Sequence, residues 1–331
     1  MRSTTFDKAL TLLAQSERPL SPTWLREFSD LAPQEVRQFL NLWPQLSQER
    51  KYAFLDTLKL LFDEETLVSF EAIGRVLLDD ADAGVRCRAL RLLEESVDLH
   101  LVPQLLRMLA QDGDTEVRAE AAAILGPFVY EGELENLPSH LLRKIEDALL
   151  YAAEHDAAVR VRQKALISLG FSSRPEVEAL IRSAYQQQEP EWIACSLSAM
   201  GRSADPHQWQ EYILPMLSHE DAEIRRSAVL AAGELGLKQA RPILLRMLEE
   251  EPEEAVYKEA IWALSQIGGE NVRLYLETLL EEAETEEMEE WIEDALDNLD
   301  FTEDFAPFDL LRFDVEDLDS FGEEEEKPFD E

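Results

Sequence analysis

The stretch D-A-E-I-R-R-S-A-V-L-A-A-G-E-L-G, running from Asp221 to Gly236, decides the fold. Its apolar and small residues Ile224, Ala228, Ala231, Ala232 and Leu235 stand at offsets 0, 4, 7, 8 and 11. That spacing makes one stripe along an α-helix. Asp221 lies three residues ahead of the stripe, where a carboxylate accepts from the free amides of a first turn and complements the helix dipole.

The device recurs. The counterparts of Ile224 are Val85, Val117, Val161, Trp192, Val256 and Met288, and successive anchors from Val85 are 32, 44, 31, 32, 32 and 32 residues apart. Four residues after each anchor comes Ala89, Ala121, Ala165, Ser196, Ala228, Ala260 or Ile292, and six of these seven are small. Eight residues after comes Leu93, Leu125, Leu169, Met200, Ala232, Leu264 or Leu296, followed in four copies by Gly126, Gly170, Gly201 or Gly233. A period near 32 over two hundred residues predicts a solenoid, in which stacked units bury faces that none of them buries alone. The fold class read from the sequence is therefore an all-α helical-repeat solenoid.

Each unit is expected to hold an outer helix, a tight turn and the anchored inner helix. The outer helices fall near 68–79, 101–111, 138–154, 175–187, 206–218, 239–250 and 271–283. Pro103, Pro138, Pro175, Pro206 and Pro242 lie in their first turns, where a missing amide costs little. The 44-residue interval contains G-P-F-V-Y-E-G-E-L-E-N-L-P, Gly126 to Pro138, which reads as a surface loop inserted between units. Residues 1–66 lack the capping device and read as a helical N-terminal cap with one divergent pair; 67–300 form an array of about seven pairs. Residues 301–331 carry a net charge of −11 with six phenylalanines among the acids, a composition that builds no core of its own. An acidic tail without regular structure over 315–331 is the expectation there.

With 31 basic and 70 acidic residues the formal charge is −39, which opposes binding to phosphate backbones and anionic membranes and favours basic proteins or peptides. Cys87 and Cys195 fall in helices of different units, so a disulfide framework is not expected and a reducing cytoplasm is. No apolar run suits a signal peptide or a membrane span. The five histidines lie apart without metal-ligand spacing, and the chain has no HExxH, CxxC or phosphate-binding glycine loop. His219-Glu220 is a single His-Glu dipeptide in a turn, and D-L-D-S-F-G (317–322) puts Phe321 where a calcium loop needs an oxygen. No cofactor and no enzymatic activity are expected.

The units D-A-G-V-R-C-R-A-L (82–90), D-T-E-V-R-A-E-A-A (114–122), V-R-V-R-Q-K-A-L (159–166) and D-A-E-I-R-R-S-A-V (221–229) resemble the HEAT-repeat family, in particular short bacterial repeats related to phycobilin-lyase subunits. The resemblance spans about 67–299 and implies a right-handed superhelix with the inner helices lining a concave face. It also implies an Asp/Arg ladder between repeats, for which Asp82/Arg86, Asp114/Arg118 and Asp221/Arg225 qualify. In the third unit Asp156/Arg160 qualifies but stands two residues early.

The groove-facing positions of the inner helices carry Arg88, Arg91, Glu120, Lys164, Arg226, Lys258, Glu259 and Trp262, of which Arg88, Arg91, Lys164, Arg226, Lys258 and Trp262 are the candidate contacts. A basic row in so acidic a chain is the one local deviation that selects a ligand, against the plainer reading of helix-surface charge paired with neighbouring acids. The function this supports is a protein-binding scaffold or adaptor using that row and the tail. Two further readings are an accessory subunit of a bilin-lyase-like enzyme and an acidic chaperone for basic proteins.

Overall fold

In the computed structural model, residues 2–15, 19–283 and 285–305 are described. Every regular element among them is helical. The inner helices run Ala83–Arg91, Thr115–Ile124, Val159–Leu169, Pro190–Gly201, Ala222–Glu234, Glu254–Ile267 and Glu286–Phe305. The outer helices are Glu71–Leu77, Val102–Gln111, Ser139–His155, Pro175–Tyr185, Pro206–Met216, Arg241–Glu250 and Val272–Glu282. This is the alternation of a HEAT-like helical-repeat solenoid, and it divides into two compact units, with the division between Ala204 and Asp205.

The caps explain where the inner helices start. Asp82, Asp114 and Asp221 each accept two backbone amides, those of Gly84 and Val85, Glu116 and Val117, and Glu223 and Ile224. The cap lies three residues before the anchor in every unit from the first to the sixth, although Ala158, Glu189 and Glu253 cap without a side-chain bond. Behind the caps, Val85, Val117, Val161, Ile224 and Val256 are buried, as are Ala89, Ala121, Ala165, Ser196, Ala228 and Ala260. Ser196 meets the cost of burial by donating its hydroxyl to the Trp192 carbonyl at 2.7 Å.

Small residues let neighbouring inner helices close up. A β-carbon on Gly170 would lie 2.4 Å from the backbone oxygen of Ala199, and one on Gly233 would lie 3.0 Å from the Ala263 α-carbon and 2.6 Å from the Trp262 ring. The glycine after the stripe is thus a packing requirement of the next unit.

The interval expected to be a loop is instead helical over Gly126–Glu133. Pro127 occupies its first turn, where it is compatible with helix, and Phe128 and Val129 are fully buried. The apolar pair turns the insertion inward, while Tyr130 stays half exposed with its ring 5.3 Å from Phe171. Ahead of the regular units, Pro33–Leu42 and Gln48–Glu64 form a pair around an aromatic cluster of Phe6, Phe28, Phe39, Trp43 and Phe54. The final inner helix extends to Phe305, five residues into the stretch expected to be tail, with Phe301 exposed. The expectation for 315–331 lies outside the described residues.

Candidate functional site

The residues one position after the anchors include Arg86, Arg118, Arg162 and Arg225. Three of them reach across to the next unit. Arg86 grips Asp112 with Nε–Oδ2 2.9 Å and Nη2–Oδ1 2.7 Å; Arg118 grips Asp156 with Nε–Oδ2 2.9 Å and Nη2–Oδ1 3.1 Å. Arg225 grips Glu251 at 2.9 and 2.6 Å. In each arginine Nη1 donates to a backbone carbonyl at the start of its own unit: Asp80, Asp112 and His219 respectively. Each rung is a two-point charge-assisted pair, the strong geometry for guanidinium and carboxylate.

The rungs therefore do not use Asp82, Asp114 and Asp221, which the ladder expectation had paired with Arg86, Arg118 and Arg225. Those aspartates are spent on their own helix amides. The acceptor is the acid two residues before the next cap, and it also accepts the cap residue's amide: Asp114 N–H to Asp112, Ala158 N–H to Asp156, Glu253 N–H to Glu251. This also resolves the third unit, where Asp156 is the rung acceptor and Arg162, rather than Arg160, is the rung arginine. Arg160 pairs with Glu116 at the surface.

The electrostatics follow from this geometry. Burial pushes the Asp112 carboxyl up, but the Arg86 pair and the Asp114 amide outweigh it and hold the group below its ordinary value. Arg118 holds Asp156 low and Arg225 holds Glu251 low in the same way. At the N-terminal end the Trp43 indole donates to Asp80 at 2.7 Å in place of an arginine. In the fifth unit His219 Nδ1 accepts the Asp221 amide at 3.0 Å, so this histidine is engaged in the turn.

The groove row has a different character. Arg88 donates to Asp56 at 2.8 Å and lies over the Tyr52 ring, 4.0 Å from its centre. Arg91 pairs with Glu120 at 2.9 Å, Arg226 with Glu259 at 2.9 Å, and Lys258 with Glu254 at 2.9 Å and Glu287 at 3.1 Å. Lys164 is half-buried and has no carboxylate within ion-pair distance among the described residues. Trp262 is half-buried against Gly233. Arg88, Arg91, Arg226 and Lys258 are thus each held by a carboxylate of a neighbouring repeat, whereas, among the described residues, Lys164 is not. Of their acidic partners, Glu120 and Glu259 already stand at groove-facing offsets in the sequence, whereas Asp56 and Glu287 escaped that reading. Asp56 lies in the divergent pair ahead of the anchored units and Glu287 stands one residue before the Met288 anchor, so the repeat offsets do not point to either.

Beside Arg88 and Arg91 lies a cleft of about 260 Å³ lined also by Leu55, Asp56, Lys59 and Leu60. Leu60 is 61% exposed there. Burial lifts both thiols, Cys195 to about 12, so neither is a ready nucleophile. Among the described residues, no group of three His, Cys, Asp or Glu is gathered as for a metal ion, and no helix is long and apolar enough to cross a membrane.

Repeat spacing, capped inner helices and arginine rungs define a HEAT-like helical-repeat solenoid fold. Residues 211–297 match the family model described as HEAT repeats. No curated protein matches the sequence. Solved structures similar to this chain include Escherichia coli YibA, at 16% identity and TM-score 0.42, covering 86% of this chain and 99% of that one. A designed armadillo repeat protein aligns at 19% identity and TM-score 0.37, over 60% of this chain and 99% of its own. Human deoxyhypusine hydroxylase aligns at 16% identity and TM-score 0.36, over 91% and 97%.

Proposed function

We propose that the chain is a non-enzymatic adaptor that binds a protein partner along its inner-helix face. Arg88, Arg91, Lys164, Arg226, Lys258 and Trp262, with their acidic neighbours, form the contact row. The observation that carries this reading is the cleft at Leu60, where a large exposed apolar side chain sits between charges already held in place by ion pairs. Side chains locked before binding lose little further entropy on association, and an apolar anchor inside a charged rim is the layout of an interface hot spot. A net charge of −39 draws a basic partner and makes the association sensitive to salt.

A photo-crosslinking residue at Leu60, with a second at exposed Tyr151 on the outer helix Ser139–His155, tests the reading in the native host. A discrete set of proteins crosslinked from Leu60 and lost when Arg88 and Arg91 become glutamate is the expected result. The same set recovered from both positions would overturn it. Bilin absorbance of the purified chain separates this function from that of a bilin-lyase accessory subunit.

A further inference from the structure

We propose that Arg162 and the cleft beside it form a recognition site for a carboxylate group. Arg162 is the rung arginine of the third unit and is anchored like the others, with Nη1 donating to the carbonyls of Asp156 at 2.8 Å and Ala157 at 3.3 Å. In Arg86, Arg118 and Arg225 the remaining edge, Nε and Nη2, holds a carboxylate. The position two residues before the next cap, Asp112, Asp156 or Glu251 in those rungs, is here Gln187. An amide brings no negative charge. Among the described residues no carboxylate lies within ion-pair distance of Arg162, so its two-point edge is free.

A second donor is free for the same reason. In the three complete rungs the acid also accepts the cap amide. The cap amide of the fourth unit belongs to Glu189, and among the described residues it has no acceptor. One carboxylate from outside would serve the guanidinium edge and is the group that the cap amide meets elsewhere in the array.

The surroundings choose the ligand further. Arg162 lines a cleft of about 490 Å³ together with Leu166, Leu180, Gln187 and Trp192. The Trp192 ring centre lies 6.0 Å from the guanidinium. These residues give an apolar floor for the carbon stem of an acid and a neutral amide beside its head. Glu154 and His155 stand on the same rim, 3.8 Å apart. The Glu154 carboxylate disfavours a doubly charged anion such as phosphate and leaves a singly charged carboxylate on an apolar or aromatic stem. That group is presented either by a free small acid or by a glutamate in a protein segment. The site holds whether or not the inner-helix row binds a partner, because none of its residues belongs to that row.

The test uses the full chain labelled with nitrogen-15 arginine. The Arg162 Nε–Hε signal is assigned by its loss in Arg162→Lys. It is followed against phenylacetate, phenylacetamide and blocked Leu-Glu-Leu and Leu-Gln-Leu peptides. A saturable shift with one or both carboxylates and none with their amides is expected; phenylacetate alone assigns a free acid, and the glutamate peptide assigns a protein segment. Gln187→Glu, which supplies an internal carboxylate, should weaken binding at least tenfold, since losing a charge-assisted pair is worth a factor of ten or more. Calorimetric titration of Arg162→Gln with the same acid should show no binding, with the fold retained by circular dichroism. No saturable shift with either acid, equal shifts with the amides, or unchanged affinity in Gln187→Glu would overturn the site.

Discussion

The junction between the first and second units and the junction after the third begin with the same residue and end differently. Arg86 and Arg162 occupy one structural slot, one after the anchor, and both brace the backbone at the entrance to their own unit. Arg86 then closes on Asp112, which is only 9% exposed, whereas the slot facing Arg162 is glutamine. The arginine alone thus fixes a turn within one unit. Only the acid, placed two residues before the following cap, converts that turn into a tie between units. A repeat array can therefore keep its packing and release one tie, leaving a charged donor aimed at a cleft.

The comparison is broken most directly by removing an acceptor. Asp112→Ala leaves Arg86, 16% exposed, without its partner, and should cost about 3–5 kcal/mol in urea unfolding, the range for breaking a buried pair. Arg162→Gln loses only its backbone bonds and should cost about 1 kcal/mol. Equal losses would mean that the rung contributes nothing beyond the turn.

The apolar half of a junction ranks next. Ala228 is fully buried in the inner helix Ala222–Glu234, and Ala228→Leu should overpack it by about 1–3 kcal/mol. An unchanged melting midpoint would contradict the close approach seen at Gly233.

Acid sharpens the contrast between ionised rungs and the glutamine junction. Asp112, Asp156 and Glu251 titrate below their ordinary values because arginine holds them ionised. Their stabilisation is complete above the ordinary carboxylate pKa of the unfolded chain and is lost as pH falls through the depressed folded values. Asp156→Asn should therefore flatten the fall in stability below about pH 4, near the ordinary aspartate pKa, while Gln187→Asn leaves the slope unchanged. An identical slope in Asp156→Asn and the parent chain would contradict the assignment.

The smallest effect belongs to the surface. Arg160 and Glu116 pair at 2.7 Å, but both are about half exposed, so Arg160→Gln should change stability by less than about 1 kcal/mol. A larger loss would show that exposed pairs tie the units as strongly as the rungs do.

What the sequence revealed and what it hid divide along the range of the interactions. The stripe at Ile224 and Ala228 and the cap at Asp221 are set by residues three to eight positions apart, so they could be read directly. The rung acceptor lies 26 residues from Arg86 and 38 from Arg118, and in a chain with 70 acids no single carboxylate announces that role. Aspartates four residues before the arginines invited the wrong pairing because they belong to the same motif. Gly126-Pro127 reads as a break, yet proline in a first turn is equally a helix start, and only the burial of Phe128 and Val129 decides between the two. The glutamine at 187 acquires meaning only once the position before each cap is known to carry the acid.

The central claim is that a rung is the arginine one after the anchor plus an acid two before the next cap. A double-mutant cycle at Arg162 and Gln187, measured by urea unfolding, tests it most directly. Gln187→Glu should raise stability by about 1 kcal/mol in the parent chain, the size of a net hydrogen-bonded gain, and by nothing when Arg162 is glutamine. A gain of the same size in both backgrounds, or no gain in either, would contradict the account.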